Sequence, residues 1–93
     1  MQRKSYRFVV TGRVQGVFFR QSGRERAVQL GLDGWIRNRA DGAVEGVVAG
    51  ADAAALDAFR TWLKSGPRRA QVSDLQWAPG EPGEIAAGFE VRA

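Results

Sequence analysis

DGWIRNRADGAVEGVVAG, residues 33–50, is the stretch that decides the fold. Two strand-like runs, 33–40 and 43–50, flank Asp41-Gly42, and Asp-Gly between such runs supplies the positive φ values of a type I′ turn. The reading is a β-hairpin with a two-residue turn, in which Glu45 pairs opposite Asn38. Side chains alternate across a strand, so Ile36 and Asn38 share one face while Trp35, Arg37 and Arg39 share the other. Ile36 is the residue expected to face a packed layer, and it carries Asn38 to that side.

Upstream of the hairpin, residues 5–13 alternate and are rich in Val, Phe and Tyr, which predicts a strand. From about Arg20 to Leu30, Phe19, Gly23, Ala27 and Leu30 fall on one helical face, with Arg24, Glu25, Arg26 and Gln29 elsewhere and Gly31 as a stop. Downstream, Asp52 stands where an N-cap belongs. Ala53 to Lys64 then carries Leu56, Phe59 and Leu63 at helical spacing, and Ser65-Gly66-Pro67 ends it. Residues 71–78 and 89–92 read as strands, with Pro79, Gly80, Pro82 and Gly83 in the loop between them.

The hairpin therefore sits between two strand-and-helix units. The simplest two-layer solution is an α+β, ferredoxin-like sandwich: βαββαβ with a short fifth strand, and two helices on one face of an antiparallel sheet. Strands 1 and 2 then run in the same direction with strand 3 between them. The loop after strand 1 and the end of strand 2 lie at one end of the sheet, about 10 Å apart. Asn38 is at that end.

The loop it would meet is GRVQGVFFR, Gly12 to Arg20. Gly12 and Gly16 lead from strand into helix, and glycines let successive backbone N–H groups turn toward one point. The helix N-terminus adds unpaired donors and a positive partial charge, and Arg20 adds a planar full charge. That is the layout of a phosphate cradle. It is also what a tight strand-to-helix connection with a solvated Arg20 would use, and a bare glycine pattern does not separate the two. Asn38 likewise reads either as a cleft residue or as a turn-side residue bonding its own backbone.

Composition narrows the chemistry. Ninety-three residues, 44% hydrophobic and 26% charged, predict one globular domain over 1–93. No apolar run approaches the ~20 residues of a membrane span, and the N-terminal residues have no apolar signal-peptide core, so a cytoplasmic, soluble protein is expected. With no apolar seam in evidence, a monomer is the simplest state. There is no cysteine and no histidine, which removes thiol nucleophiles, Cys/His metal sites, imidazole bases and the Ser-His-Asp triad. The net charge is +4, from 14 basic residues of which twelve are arginine, against 10 acidic ones. That favours an anionic ligand held by bidentate contacts.

GRVQGVFFR followed by LGLDGWIRNRADGAVEG resembles the acylphosphatase family, whose pattern is glycine-x-Val-Gln-Gly-Val-x-Phe-Arg and then Gly-Trp-x-Arg-Asn-x-x-Asp-Gly-x-Val-Glu. The similarity runs from about Tyr6 to the C-terminal FEVR and takes in Gly66-Pro67. The resemblance implies a ferredoxin-like fold and hydrolysis of the carboxyl–phosphate bond of acyl phosphates; the residue inventory, with no Cys/His metal set and no clustered carboxylates, adds the expectation of no metal and no cofactor. Carried over by position, it makes Gln15, Gly16, Val17, Phe18, Phe19 and Arg20 the phosphate-binding residues, and Arg20 and Asn38 the catalytic ones. Arg39 departs from the pattern, where many members have threonine. Any hydrogen bond from that threonine to the asparagine is absent here.

Elementary chemistry agrees with the carry-over. An acyl phosphate expels a carboxylate whose conjugate acid has a pKa of about 4, so no general acid is needed. Phosphoryl transfer is mostly positioning and charge stabilisation, which N–H groups and an arginine supply. Asparagine can hold a water but cannot deprotonate it. Glu45 is the nearby carboxylate, read as balancing Arg37 or Arg39 across the hairpin. Two other readings remain open at this stage: binding of a phosphorylated partner without turnover, and a single-stranded RNA platform on the Trp35, Arg37 and Arg39 face. The RNA reading lacks its aromatic signature in AVEGVVAG, so no specific nucleic-acid partner is expected.

Overall fold

In the computed structural model, which describes residues 3–80 and 85–93, the chain runs β1 (Lys4–Arg13), α1 (Phe19–Gln29), β2 (Asp33–Asn38), β3 (Val44–Gly50), α2 (Ala53–Leu63), β4 (Gln71–Pro79) and β5 (Phe89–Arg92). Every element expected from the sequence is present. Pro82 and Gly83 lie outside the described residues.

The sheet order is β4-β1-β3-β2-β5. β3 lies between β1 and β2 and is antiparallel to both, so β1 and β2 run in the same direction and their C-terminal ends share one edge of the molecule. The sheet is mixed rather than wholly antiparallel, because β5 pairs in parallel with β2. The reason is directional. β4 runs against β1, hence also against β2, and one chain reversal before β5 brings it in alongside β2.

Burial follows the two periodicities. Phe8 and Val10 of β1, Ile36 of β2, and Val44 and Val48 of β3 close against Phe19 and Ala27 of α1 and against Leu56, Phe59 and Leu63 of α2. These form one core, and Ile36 faces the helices as expected. α2 starts where Asp52 accepts from the N–H groups of Ala54 and Ala55, at 2.9 and 3.4 Å. No helix among the described residues is long and apolar enough to cross a membrane.

The hairpin turn differs from the two-residue type I′ expectation. The Arg39 N–H donates to the Ala43 carbonyl at 2.7 Å and the Gly42 N–H to the Arg39 carbonyl at 3.2 Å, which makes a three-residue loop of Ala40, Asp41 and Gly42. Gly42 has φ 94° and Asp41 does not have a positive φ, so this is a type I turn closed by a glycine in the left-handed region. Asp41 is held there by its own carboxylate, which accepts from the Ala43 N–H at 3.1 Å and from Arg39 Nη2 at 2.7 Å. The extra loop residue slides the register by one. Val44, not Glu45, stands opposite Asn38, and Glu45 stands opposite Arg37.

Phe59 sits at the centre of the packing. It is fully buried, with the rings of Phe8, Phe89 and Trp62 at 5.8, 5.8 and 6.2 Å. Phe59→Ala is expected to lower unfolding free energy by about 3–5 kcal/mol in a urea titration, with the slope unchanged. A loss under about 1 kcal/mol would contradict this account of the core.

Candidate active site

The loop between β1 and α1 is built on alternation. Val14, Val17 and Phe19 are buried and fasten it to the core, while Gly16 and Phe18 stand outward between them. Gly16 has φ 75° and Phe18 φ 62°, with Val17 at negative φ between them. Such alternation turns consecutive N–H groups toward one concavity, a backbone nest. A Cβ on Gly16 would meet nothing within 4 Å, so glycine is favoured there by the backbone angle and not by space.

Gly12 does not belong to the cradle. It lies in β1 at a β-bulge against β4, where a Cβ would run into the Gln71 carbonyl oxygen and come within 2.7 Å of the Ser73 nitrogen. Its role is close approach of two strands, and the cradle has one glycine rather than two.

The start of α1 is left open. Its N-cap position is Phe18, with no side-chain cap and no acidic residue in the first turn, in contrast to Asp52 at the start of α2. The Ser22 N–H bonds the Phe18 carbonyl at 3.0 Å. Among the described residues, the backbone N–H groups of residues 16–21 have no protein acceptor. Six donors and the positive end of the helix dipole are thus left without a protein partner among the described residues.

Arg20, Asn38, Gly16, Phe18, Phe19, Gln21, Val14 and Val91 line one cleft of about 380 Å³ at this point. Arg20 Nη1 donates to the Arg92 carbonyl at 2.8 Å, which fixes the guanidinium while leaving its other donors without a partner among the described residues. Asn38 is the last residue of β2, half-buried, and its amide makes no hydrogen bond to the described residues. Thus Arg20 and Asn38, distant in sequence, meet in the cleft. Val91 and the Arg92 carbonyl come from β5, and sequence reading missed both. Nothing local in FEVR signals a parallel pairing with β2.

Two of the expected phosphate residues stand differently. The Gln15 amide donates to the carbonyls of Arg39 and Ala43, at 2.8 and 2.9 Å, and Gln15 does not line the cleft. Its side chain braces the cradle loop against the hairpin turn, because both turn carbonyls point at it where water would otherwise be needed. The Val17 side chain is core, so only its backbone N–H can face an anion.

Glu45 is the buried charged residue among those described, at 8% exposure. Arg37 bonds it at 2.6–2.7 Å and Arg39 lies 3.9 Å away, so it balances the two arginines that flank Asn38. Arg39 also pairs with Asp41 at 2.7 Å. On the sheet face opposite the helices, Trp35 has the guanidinium groups of Arg92 and Arg37 at 4.6 and 5.3 Å from its ring centre. A stacking base would have to displace them.

Amide donors without a protein acceptor, a fixed guanidinium and an unengaged side-chain amide around one cleft make up a set of groups able to bind an oxyanion. A family model described as Acylphosphatase matches residues 6–91. The chain is 48% identical over 91 residues to the acylphosphatase of Rubrobacter xylanophilus, spanning 98% of this chain and 82% of that one. It is 61% identical over 67 residues to that of Xanthomonas euvesicatoria pv. vesicatoria, spanning 72% and 75%. The solved structure of an acylphosphatase from Coxiella burnetii superposes with a TM-score of 0.90 at 37% identity, covering 97% of this chain and 93% of that chain. The chain belongs to the acylphosphatase family.

The brace makes a separable prediction. Gln15→Leu removes the donor while keeping the bulk, and leaves the Arg39 and Ala43 carbonyls short of one partner. Turnover is expected to fall about tenfold through displacement of the Asn38 strand end, with inorganic phosphate inhibition changed less than about threefold. Equal losses in both would place Gln15 on the phosphate instead.

Proposed function

We propose that this chain hydrolyses the carboxyl–phosphate bond of small-molecule acyl phosphates to a carboxylate and inorganic phosphate, with residues 16–21 and Arg20 holding the phosphate and Asn38 holding the attacking water. The observation that carries it is the uncapped start of α1, where the N–H groups of residues 16–21 have no protein acceptor among the described residues and Gly16, Phe18, Phe19 and Gln21 line the same cleft as Arg20 and Asn38. Membership of the family supports it.

The phosphate binds first by its non-bridging oxygens. Backbone donors do not reorganise when charge spreads over those oxygens, and Arg20 is held in place by the Arg92 carbonyl, so both stabilise the transition state without rearrangement. Water, bonded to the Asn38 amide, attacks phosphorus. The bond to the acyl oxygen breaks with its electron pair on the departing carboxylate, which is stable without protonation. The water's proton passes to a phosphate oxygen or to solvent. Glu45 takes no part, being committed to Arg37 and Arg39.

The chain has no histidine or cysteine, and among the described residues no three acidic groups cluster. Turnover of an aryl acyl phosphate is therefore expected to persist in excess chelator, and a strict requirement for added magnesium or zinc would contradict the mechanism. Residues 1–93 are taken as one acylphosphatase-like domain, acting as a cytoplasmic monomer.

The two side chains act at different stages. Arg20→Ala is expected to raise KM and the phosphate inhibition constant as well as to lower kcat, with lysine a poor substitute because it lacks the planar fork. Asn38→Ala is expected to lower kcat on the order of 10²-fold with phosphate inhibition nearly unchanged, since it touches only the water. Near-normal turnover in Asn38→Ala, with the fold intact by circular dichroism, would refute its role.

A further inference from the structure

Phe18 is explained neither by the core nor by the backbone. It is 76% exposed, and Val28 at 54% is the other exposed large hydrophobic among the described residues. Val28 is on α1 outside the cleft, whereas Phe18 lines it beside Arg20 and Asn38. Phe18 also holds φ 62°, the one positive φ at a non-glycine among the described residues. A bulky residue is strained in the left-handed region, and glycine would give the same nest without that strain. An aromatic ring is thus kept in water, in a costly conformation, at the mouth of the catalytic cleft.

The cleft's other parts have tasks. In the function proposed above, Gly16 and the backbone after it hold the phosphate together with Arg20, and Asn38 holds the water. Val14 and Phe19 are buried. The acyl group is the substrate's remaining portion, and displacement in line requires it to leave on the side away from the water. The apolar surface left to meet it is the Phe18 ring and half-buried Val91.

Resting on the function proposed above, we infer that Phe18 is the acyl-recognition residue, a ring against which flat or extended apolar acyl groups lie, so that aryl acyl phosphates are preferred to acetyl phosphate through contacts with this side chain. Ring-on-ring contact supplies an offset-stacked or edge-to-face arrangement as well as burial. Because the ring lies outside the core, it can be removed without opening a cavity.

The test compares benzoyl phosphate with acetyl phosphate in the wild type, Phe18→Ala and Phe18→Tyr. It adds direct calorimetric binding of phenylphosphonate against methylphosphonate, which needs no turnover. Phe18→Ala is expected to lower kcat/KM for benzoyl phosphate about tenfold more than for acetyl phosphate, whatever loss the two substrates share through the cradle backbone. Phe18→Tyr is expected to restore the preference, and phenylphosphonate to lose its advantage only in Phe18→Ala. Equal losses on both substrates, or an unchanged ratio, would overturn the assignment. A wild type that turns over neither substrate would refute the proposed function alone, and the phosphonate pair would still decide whether Phe18 holds a ring.

Discussion

Six backbone N–H groups at one helix start, with no acceptor among the described residues, are the constraint on which the site depends. A helix end is normally closed by a side chain, as Asp52 closes α2. At α1 the N-cap position carries Phe18, and the first turn has no acidic residue. Unpaired donors cost little while water reaches them, and a loop that turns them toward one point can hold an anion. The alternating φ of Gly16, Val17 and Phe18 curves the loop in that way, and the buried side chains of Val14, Val17 and Phe19 hold it in place.

A cradle alone binds phosphate and does not hydrolyse anything. The sheet topology adds the second component. Because β1 and β2 are parallel with β3 between them, the cradle and Asn38 emerge at the same edge. Gln15 then ties the loop to the turn carbonyls just beyond Asn38, and Glu45 gathers the arginines on either side of it. β5, paired to β2, carries the carbonyl that holds Arg20. Loop, hairpin and last strand fix one cleft from three sides, in a chain without histidine or cysteine and with no clustered carboxylates among its described residues.

Much of this was legible in the sequence because periodicity and capping are local. Ile36 inward, Asp52 as a cap and both helices follow from spacing alone. The hairpin was legible as a hairpin but not in register, since the turn type was decided by the Asp41 carboxylate bonding Ala43 and Arg39, which a dipeptide rule does not contain. Gly12 and Gly16 look alike in sequence and differ in three dimensions, one pressed against β4 and the other in open space. Gln15 stands in the motif yet serves the turn. The parallel place of β5, and with it Val91 and the Arg92 carbonyl, depends on contacts across most of the chain.

The most direct measurement is a phosphate titration of the 15N-labelled protein, following backbone amide resonances. The account predicts saturable downfield shifts confined to the N–H groups of residues 16–21, fitting one dissociation constant equal to the kinetic inhibition constant, with the Asp52-capped start of α2 unmoved. Shifts centred elsewhere, or none at saturating phosphate in residues 16–21, would contradict the claim that the open start of α1 is the anion site.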